Sequence, residues 1–233
     1  MKKNVIITGG SSGLGNFIGT KLKKENNNVI NISRSLSKNL STYKCDLSNY
    51  SDLTKVLKDI KKKIPKIDTL IFCAGKSSFK TNKTNDKWMQ SLNDNLLSVV
   101  FTLTIFEKIF KLRNINIIIF SSIAAKKIIW DAPIEYSVSK NALNFYGKII
   151  AKKYASKNVK VNIISPGNIL IKNNNWYKRL KKDKYKTLKY IRKNVPSNNF
   201  CYPDTLYELI RIILSKKSNF LGSNIVVDGG QSI

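Results

Sequence analysis

Lys140 follows Tyr136 by four residues in Glu135-Tyr136-Ser137-Val138-Ser139-Lys140, and a serine pair, Ser121-Ser122, closes an apolar run upstream. On a helix, residues at i and i+4 share a face. An ammonium there favours a phenolate and draws a tyrosine pKa from about 10 toward neutral. A tyrosine tuned in this way trades a proton with a carbonyl or an alcohol. Spacing alone does not single this pair out. Tyr177/Lys181 and Tyr185/Lys189 fit equally, and a chain with 10 Tyr and 42 Lys and Arg supplies such matches by chance. The absence of histidine narrows the chemistry further. It removes Ser-His-Asp triads, histidine bases and most zinc sites, and leaves acid/base work to Tyr, Lys or a carboxylate.

These groups can only meet if the chain carries them to one place, and the apolar pattern says how. Short apolar runs recur at Val5-Ile7, Val29-Ile32, Thr69-Phe72, Ile115-Phe120, Val159-Ile164 and Ile225-Val227. Between them lie segments with apolar residues at helical spacing, such as Leu53, Val56, Leu57 and Ile60, or Leu143, Ile149 and Ile150. Strands alternating with helices predict parallel pairing through crossovers, and continuous apolar strands predict burial on both faces. The expected fold is α/β: a Rossmann-type doubly wound parallel sheet with helices on both faces, in one domain spanning 1–233. Ligands on such sheets bind beyond the carboxyl ends of the strands.

Composition agrees with this size of unit. At 233 residues and 42% hydrophobic content the chain suits one compact core. No apolar stretch reaches the length of a membrane span, so a cytoplasmic protein is expected. The three cysteines, Cys45, Cys73 and Cys201, form no Cys-x-x-Cys pair and read as reduced structural thiols. A net charge of +28 would ordinarily suggest nucleic acid or another anionic partner. Lys is abundant throughout the chain, however, so the charge reads as compositional bias and a nucleic-acid partner is not expected. The densest stretch is 172–193, rich in Lys and Tyr with Asp183 as its single acid; it predicts an exposed helical excursion.

The residues after each run carry the functional expectations. Thr8-Gly9-Gly10-Ser11-Ser12-Gly13-Leu14-Gly15 follows the first run and opens a helical pattern. Glycines there let the backbone approach a pyrophosphate, and the helix N-terminus offers free N–H groups to it, though such a turn also serves as a tight strand-helix connection. After the second run, Ser33-Arg34-Ser35 offers a guanidinium and no carboxylate where an adenosine ribose would lie. That favours a 2′-phosphate, hence NADP(H) over NAD(H), unless Arg34 is only a solvated loop charge. Asp46-Leu47 could contact the adenine or cap a helix.

Taken together these motifs resemble the short-chain dehydrogenase/reductase family in its compact form, over 3–230. The glycine turn is similar to that family's Thr-Gly-x-x-x-Gly-x-Gly. Cys73-Ala74-Gly75 stands at its Asn-Ala-Gly, Asp94-Asn95-Leu96-Leu97-Ser98 at its helix asparagine, Ser165-Pro166-Gly167 at its Pro-Gly turn and Val227-Asp228-Gly229-Gly230 at its last strand. The resemblance implies a catalytic set of Ser122, Tyr136, Lys140 and Asn95. It implies dinucleotide contacts from Gly9, Ser11, Ser12, Gly13, Leu14, Gly15, Ser33, Arg34, Asp46, Leu47, Cys73, Ala74, Gly75, Tyr136 and Lys140, with Pro166, Gly167 and Ile169 beside the nicotinamide. Ser122 as a strand-end cap, Asn95 as a surface polar residue and Lys140 as a solvated charge are the plain alternatives.

The resemblance also implies a carbonyl or secondary alcohol as substrate, with no metal. A 3-oxoacyl thioester is favoured over a nucleotide-sugar or another small carbonyl, and an anionic or carrier-bound group would suit the basic excursion. Segment 172–200 is expected to cover the substrate, Ile128, Ile129 and Trp130 to line an apolar wall or pack, and the chain to form a homodimer or homotetramer through helices near 95–110 and 136–153. A non-catalytic dinucleotide- or nucleic-acid-binding protein is the alternative from another class. Two departures stand out: Cys73 replaces the family's Asn and removes an amide that ties neighbouring strands, and Ile171 replaces a Thr that holds the carboxamide.

Overall fold

The computed structural model describes residues 2–77 and 81–233. The chain begins with β1 (Asn4–Thr8), α1 (Gly13–Lys24), β2 (Asn28–Ser33), β3 (Ser41–Lys44), α2 (Tyr50–Lys63) and β4 (Thr69–Phe72). It continues through α3 (Thr84–Leu92), a π-helical turn (Asn93–Leu97), α4 (Ser98–Phe110), β5 (Ile115–Phe120), α5 (Ile134–Tyr154) and β6 (Val159–Pro166). It ends with α6 (Asn175–Lys182), α7 (Lys184–Asn194), α8 (Pro203–Ile213) and β7 (Asn224–Val227).

The strands form a seven-stranded sheet in the order β3-β2-β1-β4-β5-β6-β7, parallel throughout. Alternate side chains of each run enter different layers, as the period of a strand requires. Ile6, Leu70, Phe72, Ile117, Ile119 and Ile163 join α2, α4 and α5 in one core. Val5, Ile7, Ile71, Ile118 and Ile164 pack with α1 and α8 in the other. The doubly wound expectation therefore holds, with one strand more than the apolar runs showed. That strand is β3, Ser-Thr-Tyr-Lys, at the sheet edge, where no residue is buried. An edge strand covered on few sides has no need of an apolar run.

The order reverses at β1, which has β2 on one side and β4 on the other. A crevice opens there beyond the strand ends. The sheet thereby brings the turn after β1, Arg34 after β2, Cys73-Ala74-Gly75 after β4, Ser121-Ser122 after β5 and Pro166 at the end of β6 onto one edge.

The 172–193 excursion is helical as expected, forming α6 and α7. It is not wholly exposed: Ile191, Val195 and Phe200 form a small core of their own with Leu170, Trp176, Leu180, Leu188 and Tyr190. An isolated bridge between Ile169 and Cys201 closes its base. Tyr185 lies on the surface, whereas Tyr177 is half-buried. No helix of the described residues is long and apolar enough to cross a membrane.

Candidate active site

A cleft of about 630 Å³ runs along the strand ends. Every residue assigned to the dinucleotide lines it except Gly167. Gly167 instead lines an adjoining cavity of about 450 Å³, together with Ser122. Tyr136 lines both.

The floor of the cleft is the turn after β1. Gly10 N–H donates to Asn31 Oδ1 at 2.7 Å, and Asn31 Nδ2 donates to Ser33 Oγ at 2.7 Å and Thr42 Oγ1 at 3.0 Å. Asn31 is fully buried. Standing inside an apolar run, it gave no sign in the sequence that it anchors the glycine turn to β2 and β3. A Cβ on Gly15 would sit 2.5 Å from the Gly9 carbonyl oxygen, so the helix meets the turn only because residue 15 is a glycine. At Gly13 the same construction meets nothing within 4 Å, so the turn leaves open space in front of the helix N-terminus. Ser12 makes no side-chain cap and the first turn of α1 carries no acid. Uncapped N–H groups and an uncompensated dipole end suit a pyrophosphate, and the residues present fit a dinucleotide.

At the far end of the cleft Arg34 has partners that its neighbours in sequence do not supply. No carboxylate neighbours it in sequence, but the fold supplies two. Arg34 Nη1 lies 3.1 Å from Asp94 Oδ1 and 3.9 Å from Asp46 Oδ2. Asp46 does not cap α2: it accepts from the Ser48 amide and hydroxyl, and Asn49 takes the cap by accepting from Asp52 N–H. Burial tends to raise the Asp46 carboxyl, but the Ser48 bonds and the Arg34 and Lys76 charges outweigh it and hold it below its ordinary range.

The catalytic end is drier. Lys140 is buried and donates from Nζ to the Phe120 carbonyl at 3.0 Å. Burial pulls its ammonium down to about 8. Its Nζ lies 5.9 Å from the centroid of the Tyr136 ring. The Tyr136 phenol is pushed up by burial and drawn back by the Ser122 hydroxyl. The expected lowering by Lys140 is therefore not the dominant effect here, because its ammonium points at Phe120 and burial opposes the phenolate. Ser122 caps as well as faces the phenol, since its Oγ accepts from Ala124 N–H at 3.2 Å.

Asn95 lines neither cavity and is no surface residue. It is fully buried in the π-helical turn, which interrupts the helix between α3 and α4. Its Oδ1 accepts from Lys76 N–H at 3.0 Å and its Nδ2 donates to the Lys76 and Ser91 carbonyls at 2.9 and 3.1 Å. A Cβ on Gly75 would lie 2.7 Å from Asn95 Oδ1 and 3.2 Å from Lys140 Nζ. Asn95 and Lys140 thus converge on the same glycine.

Cys73 lines the cleft, and burial raises its thiol despite the Lys140 charge. The contact with β1 is kept without an amide, since Ala74 N–H donates to Thr8 Oγ1 at 3.4 Å. Of the segment before Tyr136, Ile129 lines the smaller cavity. Ile128 and Trp130 do not pack, being 79% and 93% exposed. The smaller cavity is completed by Trp176, Arg179 and Tyr190 from the excursion, with the Arg179 guanidinium 4.9 Å from the Trp176 ring centroid. Among the described residues no cluster of metal-ligating side chains occurs.

Known proteins share this sequence pattern and this fold. A family model described as enoyl-(acyl carrier protein) reductase matches residues 15–232. The chain is 30% identical over 246 residues to the 3-oxoacyl-[acyl-carrier-protein] reductase of Buchnera aphidicola, covering 98% of this chain and 97% of that protein. A short-chain dehydrogenase family protein from Francisella tularensis superposes with a TM-score of 0.85 at 27% identity, over 100% of this chain and 99% of that one. The structure of ElxO with NADP bound gives a TM-score of 0.87 at 25% identity, over 99% of each chain. Matched along nearly its whole length in sequence and in fold, this chain belongs to the short-chain dehydrogenase/reductase family of nicotinamide-dependent oxidoreductases.

Proposed function

We propose that the protein is an NADP(H)-dependent reductase that interconverts a carbonyl and a secondary alcohol, with a 3-oxoacyl thioester as its substrate. The observation that carries this reading is the position of Tyr136, which opens onto the dinucleotide cleft and the smaller cavity at once, facing Ser122.

This reading gives each residue of the site a role. The nicotinamide, when bound, supplies the reducing equivalent. Tyr136 holds the proton that the substrate oxygen takes up, and its raised pKa keeps it protonated until charge develops on that oxygen. Ser122 offers a second hydrogen bond to the same oxygen and stabilises the developing charge. Lys140, charged at neutral pH with a pKa of about 8, holds the ribose hydroxyls and can restore the Tyr136 proton. Asn95 fixes the Lys76 backbone beside Gly75 and supports a water path to Lys140. Arg34 holds the 2′-phosphate.

The name of the Buchnera relative and the make-up of the smaller cavity support the thioester. Ile129 and Trp176 offer apolar wall to an acyl chain, and Arg179 offers a cation to an acidic carrier. The segment 172–200 forms the outer wall of that cavity and serves as its cover.

The test is a panel of acetoacetyl thioesters, nucleotide-sugars and simple ketones followed by NADPH absorbance. Thioesters are expected to be turned over best; reduction of nucleotide-sugars alone would replace the substrate assignment. Tyr136→Phe should bind NADPH like the wild type and lose roughly a hundredfold or more in turnover. Retained turnover in that variant would sink the proton-donor role. Arg34→Ala should weaken NADPH far more than NADH, and equal losses would defeat the NADP(H) preference.

A further inference from the structure

Arg34 is not left waiting for a phosphate. Asp94 Oδ1 stands 3.1 Å from its Nη1, while Lys76 Nζ lies 3.9 Å from Asp94 Oδ2. Arg34 follows the end of β2 and Asp94 comes from the π-helical turn; both line the cleft, and their ion pair ties the two elements together there. The Asp94 side chain is 16% exposed and that of Arg34 48% exposed, which places the carboxylate on the inner side of the pair. Asp94 is also well fixed. Its own carbonyl accepts from Ser98 Oγ at 3.0 Å, and the next residue, Asn95, grips the Lys76 backbone through two hydrogen bonds.

We propose that Asp94 sets how strongly the cleft prefers NADP(H) over NAD(H), by holding Arg34 and Lys76 in an ionic strap that a 2′-phosphate has to open. A phosphate dianion approaching Arg34 meets the Asp94 carboxylate already there, and the two like charges compete for one guanidinium. A ribose 2′-hydroxyl carries no charge and meets no such conflict. Asp94 therefore lowers affinity for the phosphorylated cofactor and leaves the other nearly unchanged. The strap rests on the dinucleotide reading of the cleft, but not on which of the two cofactors the native protein prefers.

The probes are 2′,5′-ADP and 5′-ADP, which report the adenosine end without turnover. Their affinities are to be measured by calorimetry on the full chain at low salt. Asp94→Asn should bind 2′,5′-ADP about tenfold more tightly and 5′-ADP within about twofold of the wild type. Asp94→Ser, with a smaller uncharged side chain, should repeat the result. The gain should vanish when Arg34→Ala is added, and shrink as salt screens the charges. Equal tightening of both nucleotides, no tightening of 2′,5′-ADP, or a gain that persists without Arg34 would overturn the strap. A wild type that binds both nucleotides alike, with Asp94→Asn selective for 2′,5′-ADP, would support the strap while removing the NADP(H) preference proposed above.

Discussion

Lys140 shows what the site costs the fold. It is a buried cation with one backbone acceptor, and its pKa falls from 10.5 to about 8. Below pH 8 the lysine is charged whether the chain is folded or unfolded, and folding bears the full burial penalty. Between about 8 and 10.5 the unfolded chain binds a proton that the folded chain has shed, so stability from this group rises with pH, by about 3 kcal/mol in all. Lys140→Met should therefore be more stable than the wild type near neutrality. Its advantage should shrink across that window when urea denaturation is repeated at several pH values. An advantage that stays constant would show that the lysine is not protonated at the cost described. The cysteines are of the opposite kind: burial pushes Cys45 up to about 11 and Cys201 up to about 12, which leaves them as inert thiols.

Among the elements, the π-helical turn does the most for the site. One extra residue in the helical turn places Asn95 toward the β4–α3 connection and Asp94 toward the cleft. Ser91, bonded to Asn95 Nδ2 through its carbonyl, also meets Ser139 Oγ at 3.0 Å and so ties α3 to α5 behind Tyr136 and Lys140. Asn95→Ala would take from the half-buried Lys76 N–H and carbonyl the partner that Asn95 provides, and from the buried Ser91 carbonyl its amide donor. We expect a loss of about 2–4 kcal/mol in a chemical denaturation experiment, together with weaker dinucleotide binding as the Lys76 backbone loosens. A variant as stable as the wild type would mean that water replaces the amide. The α6–α7 excursion is a different kind of element, with a small core of its own and few ties to the sheet.

For the molecule as a whole, the parallel sheet leaves one outer face unexplained by its own core. On α5, Val138, Phe145 and Ile149 are exposed although they are large and apolar, with Phe145 67% exposed. We expect this face to be covered by a second copy of the chain, giving the homodimer or homotetramer read from the sequence. Phe145→Glu should lower the mass measured by analytical ultracentrifugation toward that of a single chain while leaving the far-UV circular dichroism unchanged. An unaltered mass would place the interface elsewhere.

How much of this was legible beforehand depended on range. The alternation of apolar runs with helical spacing predicts the parallel sheet, because the periodicities of strand and helix are local properties written in neighbouring residues. The glycine turn and Ser122 were legible for the same reason: each lies just past a run, and an open α/β sheet collects such positions on one edge, whereas Tyr136 and Lys140 lie inside α5 and were set apart from the other Tyr/Lys pairs only by the family resemblance. Strand β3 escaped because an edge strand carries no apolar run, and Asn31 escaped because a buried amide inside such a run looks like an exception. The partners of Arg34 lay further out of reach. Asp94 is 60 residues away in the chain, and nothing local indicates that the π-helical turn brings it to Arg34. Sequence by itself determined which side chains exist at the strand ends; only tertiary structure decided which charges face one another, because electrostatic coupling depends on distance in space and on burial.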